Sequence, residues 1–274
     1  MKEKIIIKNR NHLMKVIYEE IKINGNRCDL NHLDISNVTN LENLFFFNDK
    51  FNGDISKWDV SHIINMKQMF YKSEFNGDIS NWNVSKVENM DFMFQLSSFK
   101  GDLSNWKPYI VKDTKSPFKM TKTPMPYWAT IENESVREKY INLYHLKKLI
   151  VKEIELNGEN CDLNHIDISH VTDISELFKD LKFNGDITKW NVSHIEEMGE
   201  IFDNSTFKGD LSTWTPYDLT SVYKIFHNSS APVPYWAKIE DYEERNKAID
   251  SYLLSKALNK ELGKNNSIKR KIKV

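Results

Sequence analysis

At 274 residues the chain is long enough for one large domain or two small ones, and its 38 basic and 39 acidic residues leave a formal charge of −1. That balance gives no support for bulk electrostatic binding to nucleic acid or anionic lipid, and it is not acidic enough to mimic a nucleic-acid backbone. The opening MKEKIIIKNRNH has only three consecutive apolar residues, Ile5 to Ile7, too few for a secretory signal or a membrane span, so a cytoplasmic location is expected.

Residues 1–28 read as an N-terminal cap helix, with Leu13, Val16, Ile17 and Ile21 on one stripe and Asn24-Gly25 as its stop. Self-similar text follows. FNGDISKWDVSHIINMKQMF around Trp58 returns 24 residues later as FNGDISNWNVSKVENMDFMF around Trp82, and again as FNGDITKWNVSHIEEMGEIF around Trp190. A period of this length marks stacked repeats, each covering the apolar face of its neighbour. Residues 29–123 hold four such units, beginning at Asp29, Asp54, Asp78 and Asp102. Within a unit, the Trp58–Val60 alternation predicts a short strand, and Ile63, Met66, Met69 and Phe70 predict one face of a short helix. The FNGD string predicts a tight turn in which glycine supplies a positive φ.

A cap and connecting helix is expected over 124–144, opening with PMPYWATIENESVREKY, and a second cap helix over 145–161. Three more units fill 162–230, from Asp162, Asp186 and Asp210. A C-terminal cap helix over 231–262 repeats the PYW motif, and 263–274 is a basic tail without periodicity. The expected fold is therefore an α/β repeat solenoid. It resembles leucine-rich repeats, as two tandem capped modules with short parallel strands and short helices.

The most regular columns point inward. The tryptophan column of Trp58, Trp82, Trp106, Trp190 and Trp214 is shared with Leu33 and Ile166, which argues for a core rather than an exposed stacking ladder. The aspartate column has one carboxylate per unit beside one glycine, a pattern of turn capping rather than of calcium ligation. Cys28 with His32, and Cys161 with His165, supply only two ligands per module where structural zinc takes four. No phosphate-cradling loop, nucleophile elbow or metal-protease motif occurs, so no catalytic residue, metal or cofactor is expected.

Breaks in the repeat are more informative. Phe46 and Phe47 stand where the second module has Lys179 and Asp180, Tyr71 stands where it has Asp203, and Phe92 where it has Glu200. These extra aromatics are candidates for a partner-binding patch. A second candidate surface is the strand face, with Lys57, Asp59, Asn81 and Asn83 in the first module and Lys189 and Asn191 in the second.

The strings FNGDIS-x-W-x-VS and M-x-x-MF, over 51–101 and 183–209, resemble the repeats of bacterial BspA-type surface proteins. The same repeat is known from mycoplasma lipoproteins as a leucine-rich-repeat relative of about 25 residues. The resemblance implies a repeat solenoid used for binding. The leading expectation is a non-enzymatic protein-protein interaction scaffold acting inside the cell. The alternatives are a dedicated inhibitor of a bacterial enzyme or defence complex encoded by a mobile element, and a surface adhesin without its export signal. A protein partner is expected and a membrane is not, with weak nucleic-acid contact confined to the basic tail, 264–273.

Overall fold

The computed structural model describes residues 3–48, 50–114, 116–121 and 123–271, with side chains through 260. The chain divides into two compact units, Met1–Ile141 and Asn142–Val274. In the first, β1 (Ile5–Ile6) pairs in parallel with β2 (Leu33–Asp34). Helix α1 (Arg10–Asn24) starts at Asn9, whose side chain accepts the His12 N–H, and buries Leu13 and Ile17 one turn apart. It stops at Gly25, where φ is 80° and the N–H returns to the Ile21 carbonyl.

One unbroken helix, α2 (Glu134–Asn157), runs through both the connecting segment and the second cap of the sequence reading. Ile141 belongs to the first core, and Leu146 and Ile150 to the second. Helix α3 (Tyr242–Lys271) starts at Asp241, whose side chain accepts the Glu244 N–H. Its backbone continues through most of the stretch read as an aperiodic tail. The side chains of the basic tail lie outside the described residues.

The repeats differ from expectation in a specific way: among the described residues no α-helix forms inside them, and the one short helical turn, Ser116–Phe118, is a 3-10 helix in the fourth repeat. The stretch from Met66 to Lys72 is a run of tight turns. An α-helix needs every N–H to reach back four residues. Here the N–H groups of Met66, Gln68, Phe70 and Lys72 donate instead to Asn89, Asp91, Met93 and Gln95 in the next repeat, at 2.8–3.0 Å. The alternate groups of Met69, Tyr71 and Ser73 close turns onto the carbonyls three residues back. Gln68 and Lys72 take positive φ, 52° and 51°, to permit this, as do the equivalent pairs Asn43/Phe47, Phe92/Leu96, Glu176/Asp180, Glu200/Asn204 and Lys224/Asn228. The predicted strand likewise forms no ladder: Trp58 and Val60 are buried and Lys57 and Asp59 exposed, but parallel bridges occur at Asp29–Asp54, Asn40–Asn65 and Asn65–Asn89. Asp162–Asp186 and Asp173–Glu197 are bridged in the second unit.

Side chains stack in the same register. Phe45, Phe70, Phe94 and Phe118 lie 5.7–6.0 Å apart, centroid to centroid, and Phe51, Phe75 and Phe99 follow at 6.1–6.3 Å. Phe178, Phe202 and Phe226 repeat this in the second unit. Every repeat tryptophan donates its indole N–H to a carbonyl of the preceding repeat, Trp58 to Leu30 and Trp190 to Leu163, both at 2.9 Å. Trp128 and Trp236 of the PYW motifs add one more rung, onto Leu103 and Leu211. The FNGD glycines serve close approach rather than positive φ, which among glycines occurs at Gly25 and Gly158. A Cβ on Gly53 would stand 2.2 Å from the Cys28 carbonyl oxygen and 2.6 Å from the Phe51 ring.

The carbonyls at the end of the last repeat of each unit have no successor packed over them. A wholly buried arginine meets them in each case. Arg137 donates to the carbonyls of Pro108, Tyr109, Val111 and Ile131, and Arg245 to those of Leu219, Ile239 and Glu240. Burial pulls both guanidinium pKa values down from a very high starting point.

Two stability predictions follow from this packing. Gly53→Ala is expected to cost about 1–3 kcal/mol through forced displacement of backbone. Gly199→Ala, whose Cβ would meet nothing nearer than 3.8 Å, should be neutral or slightly stabilising in urea denaturation. Arg137→Met should cost about 3 kcal/mol or more by orphaning buried carbonyls. Arg137→Lys should fail to restore it, because one ammonium cannot reach carbonyls spread around a planar fork.

Candidate functional site

Six of the seven repeats carry a pair of left-handed residues and the fourth carries one, Met120; the second of each pair, with Met120, forms a column. In the second unit the column is Asp180, Asn204 and Asn228, residue types that tolerate positive φ. In the first unit it is Phe47, Lys72, Leu96 and Met120, with φ of 51–57°. A left-handed conformation in a bulky non-glycine residue costs roughly 1 kcal/mol. Three of these four are apolar and exposed, Phe47 at 53% and Met120 at 67%.

Neighbouring rings join the column. Phe46 stacks on Tyr71 at 5.1 Å, and Phe47 lies 4.5 Å from Phe46 and 5.5 Å from Tyr71. The Lys72 ammonium sits 4.5 Å from the centre of the Phe47 ring. Leu96 and Met120 line a cleft of about 590 Å³ with Asn52, Glu74, Asn76 and Lys100. Lys72, Lys100 and Lys119 are exposed around this apolar strip. The structure thus brings Phe46, Phe47 and Tyr71 together. Phe92 is half-buried in the adjacent column, and among the described residues it makes no ring contact with them. Lys72, Leu96 and Met120 escaped the sequence reading, although stepping from Phe47 by the repeat length reaches all three.

The same face of the second unit closes on itself. Lys179 contacts Glu200 at 2.7 Å and Asp203 at 3.7 Å, Lys224 contacts Glu200 at 3.3 Å, and His227 contacts Asp203 at 3.0 Å. Hydrogen bonds from Lys179 and Lys224 hold the Glu200 carboxyl below its ordinary range, and the bond from His227 does the same for Asp203.

The polar candidates are exposed, but much of their chemistry is committed locally. Asp59, Asn83 and Asn191 each accept the N–H of the residue two further on, at 3.0–3.1 Å. Lys57 and Lys189 give their backbone N–H to the side chains of Asn31 and Asn164. Asn81 is exposed beside them. The aspartate column does the same at all seven positions, from Asp29 to Asp210, accepting an N–H at 2.8–2.9 Å. Among the described residues, no group of three or more His, Cys, Asp or Glu side chains is placed to hold a metal ion. Neither Cys28 nor Cys161 forms a disulfide. No helix of the described residues is long and apolar enough to cross a membrane.

Comparison with known families now bears on the chain. The model of the Mycoplasma protein of unknown function, DUF285, matches twice, over residues 12–127 and 146–263. The chain belongs to this family. Its two matches fall one on each compact unit, covering most of the α1 and α3 caps as well as the repeats. No curated protein and no solved structure matches.

The carboxylates that accept turn N–H groups give a pH prediction. The bond from Lys4 and the Ser36 N–H hold Asp34 down to about 2, and turn N–H groups lower Asp54, Asp78 and Asp186 in the same direction. A depressed folded-state pKa stabilises above the ordinary carboxylate value and is lost as pH falls toward the folded value. The urea midpoint should therefore be flat from pH 7 to 5 and fall below about pH 4. Replacing Asp54, Asp78 and Asp186 together by Asn keeps the turn acceptor and should shallow that fall; an unchanged slope would remove these turns as its cause.

Proposed function

We propose that each unit is a short capped solenoid and that the chain is a non-enzymatic binding protein. Its first unit engages a protein partner through the strip of Phe46, Phe47, Tyr71, Leu96 and Met120. One observation carries this reading. At equivalent positions the second unit has Asp and Asn, suited to the left-handed backbone, while the first unit holds apolar side chains that are both conformationally disfavoured and exposed. Packing does not require them outside, since the core columns are already filled by Phe45, Phe70 and Phe94. Clustered aromatics around a cation are the composition of binding hot spots. The exposed Lys72, Lys100 and Lys119 favour a partner whose apolar anchor is flanked by acidic residues. Two cysteines, Cys28 and Cys161, that are not joined in a disulfide are compatible with the reducing interior of a cell as the place of action.

Selection of a random peptide library on the immobilised full chain tests the reading. Enriched peptides should carry Phe, Trp or Leu beside Asp or Glu. Phe46→Asp with Phe47→Asp should weaken them by about 30-fold or more, the loss of a hot spot worth ~2 kcal/mol. The thermal midpoint should barely move, because both side chains are surface groups. Lys179→Gln on the second unit should leave binding unchanged. Peptides indifferent to the Phe pair would overturn the site.

A further inference from the structure

The two units begin with nearly the same text but different edges. CDLNHLDIS, residues 28–36, recurs as CDLNHIDIS, residues 161–169. In the first unit this edge is covered by β1. The Ile5 and Ile7 N–H groups donate to the His32 and Asp34 carbonyls at 3.0 and 2.9 Å, and Ile7 is wholly buried. Lys4 reaches the Asp34 carboxylate at 2.9 Å. In the second unit the chain that precedes the edge is wound into α2, and no strand takes the place of β1. Among the described residues, no group donates to the carbonyls of His165 and Asp167, and no lysine or arginine pairs with Asp167. Exposure follows: the His32 side chain is 8% exposed and that of His165 60%. Asp167 still makes its own turn, accepting the Ser169 N–H at 2.9 Å. The edge is therefore folded in the same form as its covered counterpart.

We infer that the edge at His165–Ile168 receives an extended segment of a partner chain, reading basic, apolar, any residue, apolar. Such a segment would lie parallel to the edge and give two N–H groups to the His165 and Asp167 carbonyls. Its basic residue would meet the Asp167 carboxylate, and its apolar residues would lie along the edge beside Ile166 and Ile168, which are themselves buried. The chemistry is read from Lys4–Ile7, the segment that fills the matching edge. A second copy is a poor occupant, since moving its own strand opens one edge for each edge it closes. This site is separate from the aromatic strip and does not depend on it.

The test uses the full isotope-labelled chain, followed by amide NMR, and the synthetic peptide KEKIIIKN, residues 2–9 of the chain. Saturable shifts should appear at His165–Ser169. N-methylation of the peptide at the residues matching Ile5 and Ile7 should abolish them, because it removes both donors. Asp167→Asn keeps the turn, as Asn83 and Asn191 do in their repeats, and should weaken binding about two- to fivefold, the scale of an exposed ion pair. No shifts at 1 mM peptide, or shifts at Leu33–Ser36 instead, would overturn the proposal. So would a chain that dimerises by crosslinking its N-terminal strand to residue 167 of another copy.

Discussion

The structure depends on how the backbone divides its N–H groups. Along the turn run from Met66 to Ser73, every second group closes a turn within its own repeat and the others reach the carbonyls of the next. Neither set suffices alone. A net hydrogen bond is worth only about 1 kcal/mol, and holding a side chain at positive φ costs about as much. Repetition tips the balance, since one left-handed residue per turn lets several interrepeat bonds and a ring stack form together. The repeat length follows from the same requirement. Moving a repeat by one residue would send its in-facing Phe outward and aim its donors at the wrong carbonyls. The first repeat has one extra residue before Phe51, and Asn48 accommodates it by accepting the N–H groups of both Lys50 and Phe51.

A structure held by bonds to a neighbour has a problem wherever the neighbour is missing. Each unit ends with two devices used together. The PYW tryptophan occupies one further rung of the indole ladder, so the aromatic stack ends on a buried residue rather than an open face. The arginine nine residues later then supplies N–H donors to buried carbonyls of the last repeat. Arginine suits this role because it has five donors in one plane and no acceptor that would itself need satisfying.

What the sequence made legible was the set of columns. Identical spacing in successive repeats identified Trp58, Trp82 and Trp190 as sharing one environment, and the appearance of Leu33 and Ile166 in that column named the environment as apolar. The backbone was less legible. Met66, Met69 and Phe70 are spaced as on a helix face, but consecutive tight turns also return side chains to one side every three or four residues. Periodicity cannot separate the two when the segment is barely two turns long. Gly53 was misread for a related reason. Glycine marks both positive φ and close approach, and only the position of the preceding repeat's carbonyl distinguishes them. Phe46, Phe47 and Tyr71 were found because they break the pattern. Leu96 and Met120 were not, because an apolar residue near an apolar core column draws no notice until its side chain is seen outside.

Having two copies of one unit in a single chain turns such breaks into controlled comparisons. Both copies satisfy the same turn chemistry, the same glycine constraint and the same arginine cap, so these features say what the fold needs. Where the copies differ, the fold has tolerated both answers. The outer column can be Asp, Asn, Asn or Phe, Lys, Leu, Met, and the first edge can be covered by a strand or left open. In each pair one member is the easier solution for an isolated domain: the polar column suits the left-handed backbone and exposes less apolar area, and the covered edge gives donors to the His32 and Asp34 carbonyls. The costlier solutions fall on different units, the apolar column on the first and the open edge on the second. A defect of the fold shared by descent would be expected in both copies at the same place. Costs placed separately, each on a surface that the other copy closes, are what two distinct binding surfaces would produce.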